Sequence, residues 1–175
     1  MLDYTLRILL TFFIIAIAAS PMKCQGKLDL MDRFSYFLGQ WEHNSTSDTI
    51  SHTYKKVLSD QFIKMNTSAF FYGDDDGINT HTDEGYISYD QDRRKYVFRQ
   101  FHSEGFINTY VLDEDKSTPV FYVWNSEHVE NGFGLKAMLT IEIKNDDEYS
   151  MILHLGKEGE SITACQWINA KRIKS

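Results

Sequence analysis

The sequence predicts an all-β protein: about ten antiparallel strands in an up-and-down β-barrel, capped by a short N-terminal helix and preceded by a signal peptide. Three observations predict it. From residue 39 onward, apolar side chains recur at every second position in run after run, the period of a sheet with one buried face. The runs are separated by turn clusters such as "YDQDRR", "SEG", "DEDKST" and "GKEGE", too short to hold crossover helices, so neighbouring runs pair antiparallel. A meander that long tends to curl and close, because closure removes its unpaired edges.

Each element follows in order. Arg7 precedes the apolar run "ILLTFFIIAIAA", the charged-then-apolar order of a secretory signal, and the run is too short and too early for a membrane span. Cys24-Gln25-Gly26 supplies a small-x-small cleavage site, which puts residues 1–26 in the signal and the mature start at Lys27. A lipidated Cys24 is the alternative. The expected location is secreted, periplasmic or in the cell envelope. Residues 27–38, "KLDLMDRFSYFL", place Leu28, Met31, Phe34, Tyr36, Phe37 and Leu38 at mostly helical spacing, and this helix stops at Gly39. Strands are expected at "GQWEHNST" and "TISHTYKKVL", then over 61–72, 84–89, 95–102, 106–112, 119–124, 136–143, 148–155 and 161–172. Nothing resembles a linker, so 27–175 reads as one domain.

Composition narrows the function classes. A chain of 175 residues with 42% hydrophobic and 14% aromatic content carries enough apolar surface for a real core. Loss of residues 1–26 removes Arg7, Lys23 and Asp3, a net charge of +1, and takes the formal charge from −7 to −8. That acidity argues against nucleic acid and anionic membranes as partners. Cys165 is then the sole cysteine, so no intramolecular disulfide forms in the mature chain. No nucleophile elbow, phosphate loop or nucleotide fingerprint occurs, and catalysis has no positive support.

The helix runs into Gly39-Gln40-Trp41, and a basic residue, Lys171 or Arg172, ends the last strand. This pair resembles the signature of the calycins, the lipocalin and fatty-acid-binding-protein barrels. The resemblance implies that Trp41 closes one barrel end with the basic side chain packed over its ring. The stretches "EGYISYDQDRRKYVFRQFHSEGFINTYVLDED" and "SEHVENGFGLKAMLTIEIKNDDEY" further resemble bacterial relatives of the heme-binding β-barrel domain of nitrobindin, over most of the mature chain. That resemblance implies the fold and, as an alternative cofactor, heme. Trp41 is followed by Glu42-His43-Asn44, where nitrobindins carry a further glycine pattern.

The hairpin "YVFRQFHSEGF" mixes aromatic and polar residues on both strand faces. A barrel wall buried only against hydrocarbon would show a cleaner split. A polar cluster at the mouth of a lumen accounts for the mixture, with Arg99 or Gln100, His102 and Glu104 meeting a ligand's polar end. Arg99 suits a fatty-acid carboxylate as a bidentate partner. Asn108 and Tyr110 extend the cluster on the return strand. The expected ligand is small, hydrophobic and lipid-like, and the expected ligand-binding residues are Phe98, Arg99, Gln100, His102, Tyr110 and Trp124. No cofactor is required by that reading.

Two other readings stay open. In the heme alternative, acting on nitric oxide, peroxynitrite or peroxide, His154 or His102 holds the iron. In the protein-interaction alternative, exposed aromatics around Phe133 and Gly134 bind a partner. The six histidines show no H-x-H or H-x-x-x-H spacing, so no sequence-local zinc site is expected. Asp74-Asp75-Asp76 reads as a solvated turn rather than a calcium site, Glu127 and Glu130 as surface charges, and Cys165 as a buried structural thiol.

Overall fold

The computed structural model describes residues 29–73 and 77–174. The expected signal peptide, the Cys24 anchor and Asp74-Asp75-Asp76 lie outside the described residues. The helix is present over Leu30–Phe37 and is of the 3₁₀ type, started by Asp29, whose carboxylate accepts from Met31 N at 3.1 Å. Its buried residues are Met31, Phe34 and Phe37. A spacing of three matches the three residues per turn of a 3₁₀ helix, so all three fall on one stripe.

Ten strands follow: β1 Gly39–Asn44, β2 Asp48–Val57, β3 Phe62–Tyr72, β4 Ile78–Asp90, β5 Lys95–His102, β6 Ile107–Leu112, β7 Phe121–Glu130, β8 Leu135–Asn145, β9 Glu148–Lys157 and β10 Thr163–Arg172. Each pairs antiparallel with the next, and β1 pairs with β10 through Trp41 opposite Arg172, which closes the barrel. Two strands outrun the expectation. β4 begins at Ile78 instead of residue 84, and its polar first half, "INTHTD", is held in the sheet by pairing with β3 from Tyr72↔Ile78 to Thr67↔Asp83. β7 likewise continues to Glu130, past a bulge at its own Glu127 opposite the Thr109–Tyr110 step of β6.

The helix plugs one end. Phe34 packs edge-on to Tyr96 at 5.1 Å between centroids and lies against Tyr122 and Trp124, while Phe37 meets Tyr54, Tyr122 and Tyr149. Trp41 is fully buried, donates through Nε1 to Phe37 O at 2.7 Å, and lies 4.1 Å beneath the Arg172 guanidinium. Arg172 also donates to Leu38 O and Tyr36 O, each at 2.8 Å, so one side chain ties β10, the helix end and the tryptophan together. Gly39 explains the glycine of G-x-W: its φ is +113°, and a Cβ there would stand 3.3 Å from the guanidinium.

Candidate functional site: the barrel lumen and its open end

Above the helix plug the barrel is hollow. A cavity of about 390 Å³ runs from an aromatic floor formed by Phe37, Tyr54, Phe98, Tyr110 and Trp124 to an open mouth. Aliphatic side chains such as Met65, Leu139, Ile141, Met151 and Ile168 form its wall. Gly85 leaves room for that floor, because a Cβ there would come within 2.5 Å of the Phe98 ring.

Five of the six expected ligand-binding residues line this cavity: Phe98, Gln100, His102, Tyr110 and Trp124. Arg99 does not. Alternation along β5 turns Tyr96, Phe98, Gln100 and His102 inward and leaves Arg99 exposed on the outer face, where its guanidinium reaches Ser88 at 3.4 Å. No lysine or arginine occurs among the cavity-lining residues, so the expected carboxylate partner is missing from the lumen.

The mouth carries a cluster that sequence spacing did not disclose. His81 and Asp83 project inward two positions apart on β4, and Asp83 lies opposite His102 on β5 and opposite Thr67 on β3. His102 Nδ1 is 2.7 Å from Asp83 Oδ1, and His81 Nε2 is 3.2 Å from Asp83 Oδ2. His81 Nδ1 is 2.6 Å from Glu104 Oε1, and Asn108 Nδ2 is 3.0 Å from both His102 Nε2 and the Tyr110 hydroxyl. The signal was the H-x-D pair at 81–83, but it stood in a segment without apolar alternation and so outside any expected strand.

The charges of the cluster follow from these contacts. Asp83 above all, then Glu104, raise His81 to about 9, against the opposing effect of burial. Burial works to raise Asp83, but the two imidazoles facing it, His102 first and then His81, hold it at about 2. Deeper in, burial pushes His52 down to about 4, so it is neutral at pH 7, with Nδ1 2.6 Å from the Tyr149 hydroxyl. Among the described residues, three buried side-chain polar atoms have no aligned hydrogen-bond partner: Thr67 Oγ1, Asp83 Oδ1 and Asn108 Oδ1. Asp83 Oδ1 lies 2.7 Å from His102 Nδ1, yet no donor is aligned on it. All three residues line the lumen.

The residues expected to hold heme do not fit it. His154 faces outward on β9, near Thr140, because Met151, Leu153 and Leu155 occupy the inward positions. His102 faces the lumen, but Asp83 and His81 stand within 3.4 Å of its Nδ1, where a porphyrin plane would have to lie. Its other nitrogen faces Asn108. Cys165 is also corrected: it is exposed, with its thiol directed at Leu153 O, because it stands at the bulge between Ala164 and Gln166 on the outer face that Trp167 and Asn169 share, while Gln166 and Ile168 face the lumen. Phe133 is 98% exposed in the loop joining β7 and β8, and Glu127 is paired with Arg93 on the surface. No family model matches the chain, and no curated protein matches it.

Proposed function

We propose that this barrel binds one small, largely apolar molecule in its lumen, with an uncharged hydrogen-bonding end of the ligand placed at the mouth, and that its kinship lies with the calycins. The observation that carries this is the cavity itself: about 390 Å³, walled by aliphatic and aromatic side chains, with the unpartnered Thr67 hydroxyl and Asn108 amide oxygen on its upper rim. That volume is within the range of small-molecule sites. Buried polar atoms without partners are rare, and a ligand group that reached them would remove their desolvation cost. A fatty-acid anion suits the site poorly, since His81, the cation at the mouth, is already paired with Asp83 and Glu104, and no arginine or lysine lines the cavity. A secreted or envelope location remains part of the proposal.

The test uses 1-aminoanthracene, a flat apolar amine, titrated into the protein with its own fluorescence and that of Trp124 as readouts. Saturable one-to-one binding, abolished by Leu139→Trp, which fills the lumen, is the expected result. Absence of saturable binding, or binding that survives Leu139→Trp in a variant with unchanged circular dichroism, overturns the reading.

A further inference from the structure

We propose that His81, Asp83 and His102 form a site for one divalent transition-metal ion, zinc by donor chemistry, at the mouth of the barrel. The inference goes beyond lumen binding and does not depend on an apolar occupant. One ligand atom from each of the three residues lies within 4.8 Å of the others. The facing ring nitrogens, His102 Nδ1 and His81 Nε2, are 3.4 Å apart. Two nitrogens bound to one tetrahedral zinc at about 2.1 Å each stand about 3.4 Å apart. Asp83 Oδ1 completes the triangle, 2.7 Å from His102 Nδ1, and no donor is aligned on it. The Asp83 carboxylate thus lies between the two imidazoles, with Oδ1 beside His102 Nδ1 and Oδ2 3.2 Å from His81 Nε2.

The surroundings are those of a metal site. A ligating histidine ordinarily passes its second ring N–H to a carboxylate or amide, which fixes the tautomer. His81 Nδ1 has Glu104 at 2.6 Å. His102 Nε2 has the Asn108 amide at 3.0 Å, and a half-turn of that amide would bring its unpartnered oxygen to accept from both His102 Nε2–H and the Tyr110 hydroxyl. His102 is further held by stacking on Phe106, 3.9 Å between centroids. Two imidazoles and one carboxylate suit zinc or iron(II) and not calcium or magnesium, which take all-oxygen sites. Three protein ligands leave a coordination position open, and because all three residues line the cavity it faces the lumen. The polar end of a bound molecule, or water, would take it. The absence of any local H-x-H spacing is no obstacle, since the ligands come from two strands and are joined by the register Asp83↔His102.

The experiment is a titration of the EDTA-treated protein with Co2+, read by visible ligand-field absorption and followed by Zn2+ displacement, on wild type, His81→Ala, His102→Ala, Glu104→Gln and His154→Ala. One equivalent with tetrahedral bands, lost in both alanine variants at the cluster, weakened roughly tenfold in Glu104→Gln and unchanged in His154→Ala, is expected. Glu104 sits in the turn, so its variant reads the site without risk to the fold. No saturable uptake, or uptake equal in wild type and the His81 and His102 variants, overturns the site. Titration of the same samples with 1-aminoanthracene separates the two proposals: probe binding without metal uptake sinks only the ion site, and metal uptake without probe binding sinks only the lumen reading.

Discussion

At the helix end of the barrel three tyrosine hydroxyls reach carbonyls: Tyr96 donates to Leu30 O, Tyr122 to Arg33 O and Pro119 O, and Tyr36 to Asn145 O and Glu148 O. At the open end Thr67, Asp83 and Asn108 each hold a buried oxygen that no donor serves. The same ten strands run through both ends, so the contrast comes from the side chains. One end is filled with rings whose polar tips are satisfied, and it carries stability. The other keeps space and unmet hydrogen-bonding capacity, which weakens a fold and suits a binding site.

The largest effect belongs to the filled end. Phe34→Ala removes a ring that is 1% exposed and packed against Tyr96, Tyr122 and Trp124. It should cost about 3–5 kcal/mol of unfolding free energy in urea titration. A loss below about 1 kcal/mol would mean that the plug carries little of the stability and would erase the contrast between the ends.

His52 lies between the two ends and supplies the pH dependence. Its ordinary value is 6.5 and burial holds it near 4 in the folded barrel, so the unfolded chain binds more protons between those values. Its contribution is therefore fully present above about pH 6.5, falls as pH drops toward 4, and is level below. Between pH 7.5 and 5 the change amounts to about 2 kcal/mol. Urea midpoints of wild type and His52→Gln at the two pH values isolate it from the carboxylates. Equal pH slopes in the two proteins would show that His52 is not held neutral.

At the open end the sign reverses. Thr67→Val keeps the side chain's shape and removes an unpartnered hydroxyl, so stability should hold or rise by up to about 1 kcal/mol. The same change should weaken 1-aminoanthracene roughly fivefold, the worth of one hydrogen bond of about 1 kcal/mol. A destabilised variant with unaltered affinity would place the hydroxyl among the structural groups. The smallest effect is expected outside: Arg99→Ala and His154→Ala should each shift stability by less than about 0.5 kcal/mol and leave probe affinity unchanged. A clear loss of affinity in either would show that the lumen is not where the probe binds.

Much of the architecture was legible in sequence because it rests on period and punctuation. The alternation Ile63, Met65, Thr67, Ala69 separated the two faces of β3, of which this one is buried, and the turn clusters named nearly every hairpin. The spacing of Met31, Phe34 and Phe37 marked the helix, although it suits the 3₁₀ geometry found better than an α-helix. Within the hairpin at 95–112, parity alone separated Phe98, Gln100 and His102 from Arg99. Composition drew attention to the arginine, and the pleat set it outside. His154 failed for the same reason, since its strand was expected but its face was not.

What the sequence by itself determined is the barrel: ten short alternating runs, tight turns and a capping helix, each a matter of local pattern plus the need to bury an edge, while the closure of Trp41 with a basic residue came from the resemblance to the calycins. What the tertiary structure alone decided is the mouth. His81 and Asp83 sit in a polar stretch with no hydrophobic period, and they become neighbours of His102 only because β3 holds β4 in the sheet and β5 pairs in one particular register. Periodicity reads from apolar residues, whereas a polar site is assembled by cross-strand register, a distance relation that no spacing along the chain records.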